Sequence, residues 1–402
     1  MTVPDLDRRP TVLIFADHYL PGFKAGGPIR TINNLIEALG DTFRLLVFTR
    51  DRDAATPEAY GTVRVDDWNK VGKAMVFYAS PRTLSWRGIG KVLRETRHDL
   101  LYLNSFFSPR LTLVPILLRR VGRYRSGPVV IAPRGEFSPG ALALKPTKKR
   151  VYIWLARALG LYRYLNWQAS SSHESEQIRH VLGSDAASIS VVPNLPSVQT
   201  QGQCTGEPQA LSRREPGPLR VVFTSRIAPM KNLDFLLEVL ASVKGDVEVT
   251  VCGPIFDAGY WAYCQALVDN LPRNVVFKYV GEVAPERVCT VFAQHDVFVF
   301  PTRGENFGHV IFEALTAGTA AVLSDQTPWP PDPGGAVEVL SLGTPQDWVA
   351  TIERWADFDD RAFTDRRAAA ADYVKRYLAS NDGTGLTRRL FLSAMERSAG
   401  AD

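Results

Sequence analysis

The stretch Asp296-Val-Phe-Val-Phe-Pro-Thr-Arg-Gly-Glu-Asn-Phe-Gly-His-Val-Ile-Phe-Glu-Ala-Leu-Thr-Ala-Gly318 decides the fold class. Its first five residues are apolar, aromatic or β-branched after the opening acid, the composition of a buried strand, and Pro301 ends the run. Beyond Gly308, Val310, Glu313, Ala314 and Ala317 recur at helical spacing up to Gly318, which suits a C′ glycine. Glu305 therefore falls in the loop at the carboxyl end of a strand, and Glu313 about a turn and a half into the next helix. Open α/β sheets bind ligands at that end, where free helix N-terminal N–H groups favour anions. Two carboxylates there suit a ligand rich in hydroxyls; singly, they read as a loop acid and a solvated helix acid.

Upstream, Leu219 to Ser225 has the same strand character, Arg226-Ile-Ala-Pro-Met-Lys231-Asn232 is a turn, and Leu233, Leu236, Leu237 and Leu240 mark a helix. Arg226 and Lys231 thus occupy a second strand-to-helix connection of the same kind. A guanidinium fork with a flexible ammonium is the usual partner of a diphosphate. Two exposed loop cations are the plainer alternative, and the acidic pair in the matching downstream position weighs against it.

In combination these segments resemble the family 4 retaining glycosyltransferases, which have the GT-B fold. The matching pieces are Gly26-Gly27 with the following helix, Arg226 to Lys231, Glu305-Asn-Phe-Gly to Glu313-Ala-Leu, and Ser324-Asp-Gln-Thr-Pro-Trp329. Arg134-Gly-Glu-Phe-Ser-Pro-Gly-Ala-Leu142 and Ala169-Ser-Ser-Ser-His-Glu174 are similar to segments of members that build bacterial surface polysaccharides. The resemblance implies two Rossmann-like domains, each with a parallel sheet, facing across a cleft, and a C-terminal helix crossing back to the N-terminal domain. It implies transfer of a sugar from a nucleotide diphosphate to an acceptor hydroxyl, with a lipid-linked or growing glycan as acceptor.

The same resemblance distributes the site residues. Arg226 and Lys231 would hold the departing diphosphate, Glu305 the donor sugar and Glu313 the ribose. Gly26, Gly27, Gly253, Pro254, Val283, Asn306, Phe307, Gly308 and His309 would line the donor. His18, Lys24, Asn104, Arg134 and Glu136 are candidates on the acceptor side, and many relatives carry histidines where Asn104 and Arg134 stand here. No metal or other cofactor is implied, since two cations supply the charge that Mg²⁺ brings to other phosphate chemistry. Three other readings remain: an inverting enzyme using His18 as general base, a GT-B epimerase, and a silent nucleotide-sugar-binding protein.

Composition bounds the rest. A chain of 402 residues is long for one core and suits two. The four cysteines have no metal-ligand spacing and read as free thiols of a reducing cytoplasm. No stretch resembles a signal peptide or a membrane span, so the expected setting is cytoplasmic, with peripheral attachment to the inner face of the membrane as an option. That option rests on Arg119 to Arg163, which carries eleven basic residues against one acid, Glu136. Over 145–165 apolar residues recur at helical spacing (Val151, Trp154, Leu155, Ala158, Leu159, Tyr162, Leu165), giving a basic amphipathic helix suited to an anionic membrane surface. Packing of its apolar side on the N-terminal domain is the alternative. No nucleic-acid motif accompanies the charge.

Strand-like and helical runs alternate on both sides of a segment rich in Gln, Gly, Ser and Pro. The predicted division is an N-terminal acceptor-binding domain at 1–196, a linker at 197–217, a nucleotide-sugar-binding domain at 218–380 and the crossover helix at 381–402.

Overall fold

The structure, a computed structural model, describes residues 9–54, 56–124, 127–196 and 217–399. It comprises two compact units, one made of residues 1–195 with 382–402 and the other of residues 196–381. Almost all of the predicted linker lies outside the described residues.

The first unit is built on an eight-stranded sheet in the order β3-β4-β2-β1-β5-β6-β7-β8. Its strands are β1 (Thr11–Ala16), β2 (Arg44–Arg50), β3 (Trp68–Val71), β4 (Ala74–Ala79), β5 (Leu100–Asn104), β6 (Val129–Ala132), β7 (Asn166–Ala169) and β8 (Ser188–Val191). All pairings are parallel except the antiparallel edge pair β3 and β4. Every residue of β1 and β5 is buried, as parallel strands covered on both faces require. The order reverses at β1, whose neighbours are β2 and β5.

The second unit has six parallel strands in the order β11-β10-β9-β12-β13-β14. They are β9 (Leu219–Thr224), β10 (Val247–Cys252), β11 (Val275–Gly281), β12 (Val297–Phe300), β13 (Ala320–Ser324) and β14 (Val337–Leu340). Renumbered within the unit this is 3-2-1-4-5-6, the doubly wound dinucleotide-binding order. The switch point lies between β9 and β12, the two strands whose exits carry Arg226, Lys231 and Glu305.

The C-terminal helix Gly383–Ala399 belongs to the first unit. Leu390, Phe391 and Ala394 are buried in its core, and the Phe391 ring lies 5.7 Å from Phe43 and 5.1 Å from Tyr102.

Several expectations need correction. Strands β3, β7, β8 and β14 are short, and their mixed polarity hid them from a search for apolar runs. The basic helix is Pro146–Ala158 rather than 145–165. Gly160 at φ 56° stops it, with the Gly160 amide donating to the Arg157 carbonyl and the Leu161 amide to the Ala156 carbonyl, a Schellman closure. Tyr162 and Leu165 are therefore buried by the turn that leads into β7, not by the helix. Cys252 and Cys264 are buried free thiols, but Cys289 is disulfide-bonded.

Candidate active site

In the second unit three of the predicted side chains meet at the switch point. Lys231 Nζ forms an ion pair with Glu305 Oε1, both side chains about one-eighth exposed. The ammonium also lies 5.5 Å above the Phe300 ring, so an aromatic face supports the cation from the strand side. Arg226 sits close enough to Glu305 to feel its charge; burial lowers the guanidinium pKa and Glu305 partly restores it. Its guanidinium stacks 5.1 Å from the Phe256 ring centre.

The scaffold beneath these groups uses residues that sequence reasoning missed. Asn232 is buried and left-handed (φ 62°); it donates to the Pro301 carbonyl (2.8 Å) and accepts from Arg303 Nε (2.8 Å). Thr302 Oγ1 and the Arg303 amide both donate to the Met230 carbonyl (3.1 and 2.9 Å). The loops after β9 and β12 are thereby stitched into one piece, which fixes Lys231 opposite Glu305. An asparagine directly after Lys231, at a helix start, was the available signal, because Asn tolerates the left-handed region.

Gly308 (φ 77°) caps the helix His309–Thr316, in which His309 and Glu313 are buried. The turn Asn306–Gly308 is braced by Trp329, whose indole N–H donates to the Phe307 carbonyl and whose ring stacks 4.8 Å from Tyr377. That gives the Ser324–Trp329 segment a supporting role. Gly253 (φ 131°) ends β10 so close to β9 that a Cβ would stand 1.9 Å from the Ser225 carbonyl oxygen. Only glycine fits there. Pro254 continues this turn, its carbonyl accepting from the Ile227 amide (2.8 Å), and Val283 packs against the unit's core.

In the first unit the loops after β1 and β5 flank the corresponding switch point. Asp53 Oδ2 accepts from the Phe23 and Lys24 amides (2.9 and 3.1 Å), and Lys24 Nζ donates to Thr56 Oγ1 (3.0 Å). Gly26 is the N-cap of the helix Gly27–Leu39. Asp17 pairs with Arg50 (2.7 Å), while His18 Nδ1 lies 3.3 Å from the Arg52 carbonyl. A carbonyl only accepts, so Nδ1 is the donor in this contact and Nε2 is the nitrogen not used by it.

The two positions that depart from the family pattern prove to be one feature. Arg134, left-handed at φ 57°, donates from Nε and Nη2 to Asn104 Oδ1 (3.2 and 2.9 Å), from Nη2 to the Tyr102 hydroxyl (2.5 Å), and from Nη1 to Asn194 Oδ1. Glu136 accepts from Ser105 Oγ (2.7 Å) and from the Phe106 and Phe107 amides. It thereby holds Ser105 at φ 144°. Burial pushes its carboxyl above the usual range, against these hydrogen bonds. Glu174 ties the Gly135 amide (2.6 Å) to Ser170. The polar groups of Asn104, Arg134 and Glu136 are thus engaged within the domain. Among the described residues no cluster of His, Cys, Asp and Glu could hold a metal ion, and no helix is long and apolar enough to cross a membrane.

With this geometry established, comparison with known proteins identifies the class. A family model described as "Glycosyl transferase 4-like domain" matches residues 26–195, and "Glycosyl transferases group 1" matches residues 209–355. The chain belongs to the family 4-type glycosyltransferases. It is 26% identical over 166 residues to D-inositol 3-phosphate glycosyltransferase of Rhodococcus erythropolis, covering 39% of this chain and 37% of that one. It is 31% identical over 181 residues to the putative glycosyltransferase EpsF of Bacillus subtilis (44% and 42%). The chain therefore spans about two fifths of the length of these curated relatives. It spans 77% of an uncharacterised 41.2 kDa protein in the cps region of Klebsiella pneumoniae, at 22% identity over 68% of this chain. Among solved structures, Anabaena HepE in complex with UDP and glucose superposes with TM-score 0.68 at 16% identity, covering 96% of this chain and 99% of that one. Sucrose-phosphate synthase from Thermosynechococcus elongatus gives 0.66 at 15% identity (96% and 100%). The fold is GT-B.

Proposed function

We propose that the chain transfers a sugar, with retention of anomeric configuration, from a nucleotide diphosphate sugar to a hydroxyl of a glycan or lipid-linked glycan. The observation that carries this reading is the meeting of Arg226, Lys231 and Glu305 at the β9/β12 switch point. As the bond from the anomeric carbon to the diphosphate oxygen breaks, negative charge grows on the leaving group. Arg226 and Lys231 then stabilise the transition state more than the bound donor. Glu305 accepts hydroxyls of the sugar and Glu313 those of the ribose. The acceptor oxygen bonds to the anomeric carbon on the face the diphosphate leaves, and its proton passes to a diphosphate oxygen, so no enzymatic base is required.

The two cations make the reaction independent of metal in this reading. The N-terminal unit takes the acceptor, and the protein works in the cytoplasm. HepE was solved with UDP and with UDP-glucose, so uridine diphosphate sugars head the donor screen. EpsF and the cps-region protein support a polysaccharide acceptor.

His18 supports a second reading, because it follows β1 and only its Nδ1 is used at the Arg52 carbonyl, leaving Nε2 as the nitrogen that could serve as a general base. The experiment is incubation with donor and acceptor panels in excess chelator, followed by NMR of the product anomer. Retained configuration with loss of turnover in Glu305→Gln is expected. An inverted product would move the assignment to His18, and full turnover in Glu305→Gln would remove that residue from the site.

A further inference from the structure

The helix Pro146–Ala158 turns its apolar stripe outward. Val151, Trp154, Leu155 and Leu159, at spacing i, i+3, i+4 and i+8, are 52%, 67%, 45% and 56% exposed. Packing is left to the other side of the helix: Ala156 is fully buried, and Tyr152 donates its hydroxyl to the Phe106 carbonyl (3.2 Å) with its ring 5.3 Å from that of Phe106. The helix is held in this orientation by the core, so the stripe is not an unused core face. Leu144 before the helix and Tyr164 after it are exposed as well. A contiguous apolar set on a soluble surface marks an interaction site.

The charge carried by the helix and its flanking turns is of one sign. No acidic residue occurs between Glu136 and Glu174. Lys145, Lys148, Arg150 and Arg157 are exposed, and among the described residues no ion pair engages the first three. Lys149 differs, with its ammonium turned inward 4.9 Å above the Phe107 ring and donating to the Ala141 carbonyl (2.6 Å). Beside the stripe lies a groove of about 500 Å³ lined by Arg150, Trp154, Arg157, Arg163 and Asp185, the last two paired with each other (3.0 Å).

We infer that this face docks on an anionic phospholipid bilayer, with Trp154, Leu155 and Leu159 entering the interface and Lys145, Lys148 and Arg150 meeting headgroup phosphates. Tryptophan is the side chain most at home at that boundary, and basic flanks add attraction to an anionic leaflet. A second copy of the chain fits less well, since a two-fold contact would set one basic ring against the other. The inference stands apart from the sugar-transfer reading, and its test involves no donor.

The full chain is sedimented with vesicles of phosphatidylglycerol mixed with phosphatidylcholine, and with phosphatidylcholine alone. Binding to the anionic vesicles only, reduced by salt, is expected. Lys148→Ala and Arg150→Ala should each lower partitioning roughly fivefold. Trp154→Glu with Leu155→Glu should abolish it at unchanged melting temperature, because both side chains are exposed. The inference is overturned by equal binding to neutral vesicles, by no binding to either, or by retained binding of the Trp154/Leu155 variant. A dimer that this variant dissolves into monomers would equally overturn it, assigning the face to self-association.

Discussion

Replacing Gly253 by alanine tests whether the end of β10 positions the loop that carries Arg226. The new Cβ would stand 1.9 Å from the Ser225 carbonyl oxygen, so one strand end must retreat by about 1.5 Å to reach ordinary contact. The backbone is also held at φ 131°, a region nearly closed to L side chains. Strain of about 1–3 kcal/mol and overpacking of about 1–3 kcal/mol together give roughly 2–6 kcal/mol. At about 2–4 °C per kcal/mol for a domain of this size, the melting temperature of the second unit should drop by at least ~4 °C. Gly281→Ala is the control, because its φ is 81° but nothing lies within 4 Å of its Cβ. It should cost only about 1 kcal/mol. Ser225 immediately precedes Arg226, so Gly253→Ala should also displace the guanidinium from a bound diphosphate. Losing a charge-assisted hydrogen bond of about 1.5–3 kcal/mol would weaken binding of the nucleoside diphosphate product about 10- to 150-fold, read by titration calorimetry. Equal melting of the two variants would refute the close approach. A destabilised Gly253→Ala protein with undiminished nucleoside diphosphate affinity would refute the link to Arg226.

Arg226→Ala and Lys231→Ala should each weaken binding of the nucleoside diphosphate product by about 10-fold or more, and unaltered calorimetric affinity in both would disprove the phosphate assignment. Glu136 gives a pH signature. Because burial raises its folded pKa, its contribution to stability is full below the pKa of the unfolded carboxyl and is lost as pH rises through the raised folded value. The melting temperature of the wild type should therefore fall relative to Glu136→Gln as pH climbs out of the acid range; parallel melting curves would contradict the buried-carboxyl assignment.

The parts of the fold that announced themselves in sequence were those buried on both faces. β1, β12 and β13 are largely runs of apolar residues, and β9 and β10 keep a majority of apolar residues around two polar ones, so composition identifies them. The edge strands β3, β8 and β14 are partly exposed and carry polar residues, which leaves no such mark. At the site, Arg226, Lys231 and Glu305 were legible because charged residues at the carboxyl ends of strands have few structural reasons to be there. The pairing of Asn104 with Arg134 was not legible. Each departs singly from the family pattern, and only the alignment of β5 beside β6 makes them partners. The orientation of the basic helix was also hidden: helical spacing finds an apolar stripe, but Tyr152 and Ala156 on the adjoining side decide which way it faces.

The C-terminal helix has a consequence for biosynthesis. The first unit is assembled from two chain pieces separated by residues 196–381, and Phe391 fills the space between Phe43 and Tyr102. At about 5–20 residues per second the ribosome needs roughly 10–40 s to make the intervening segment. During that interval the nascent N-terminal sheet waits with a gap where the last helix will sit, so the half of the protein translated first is the half that finishes folding last.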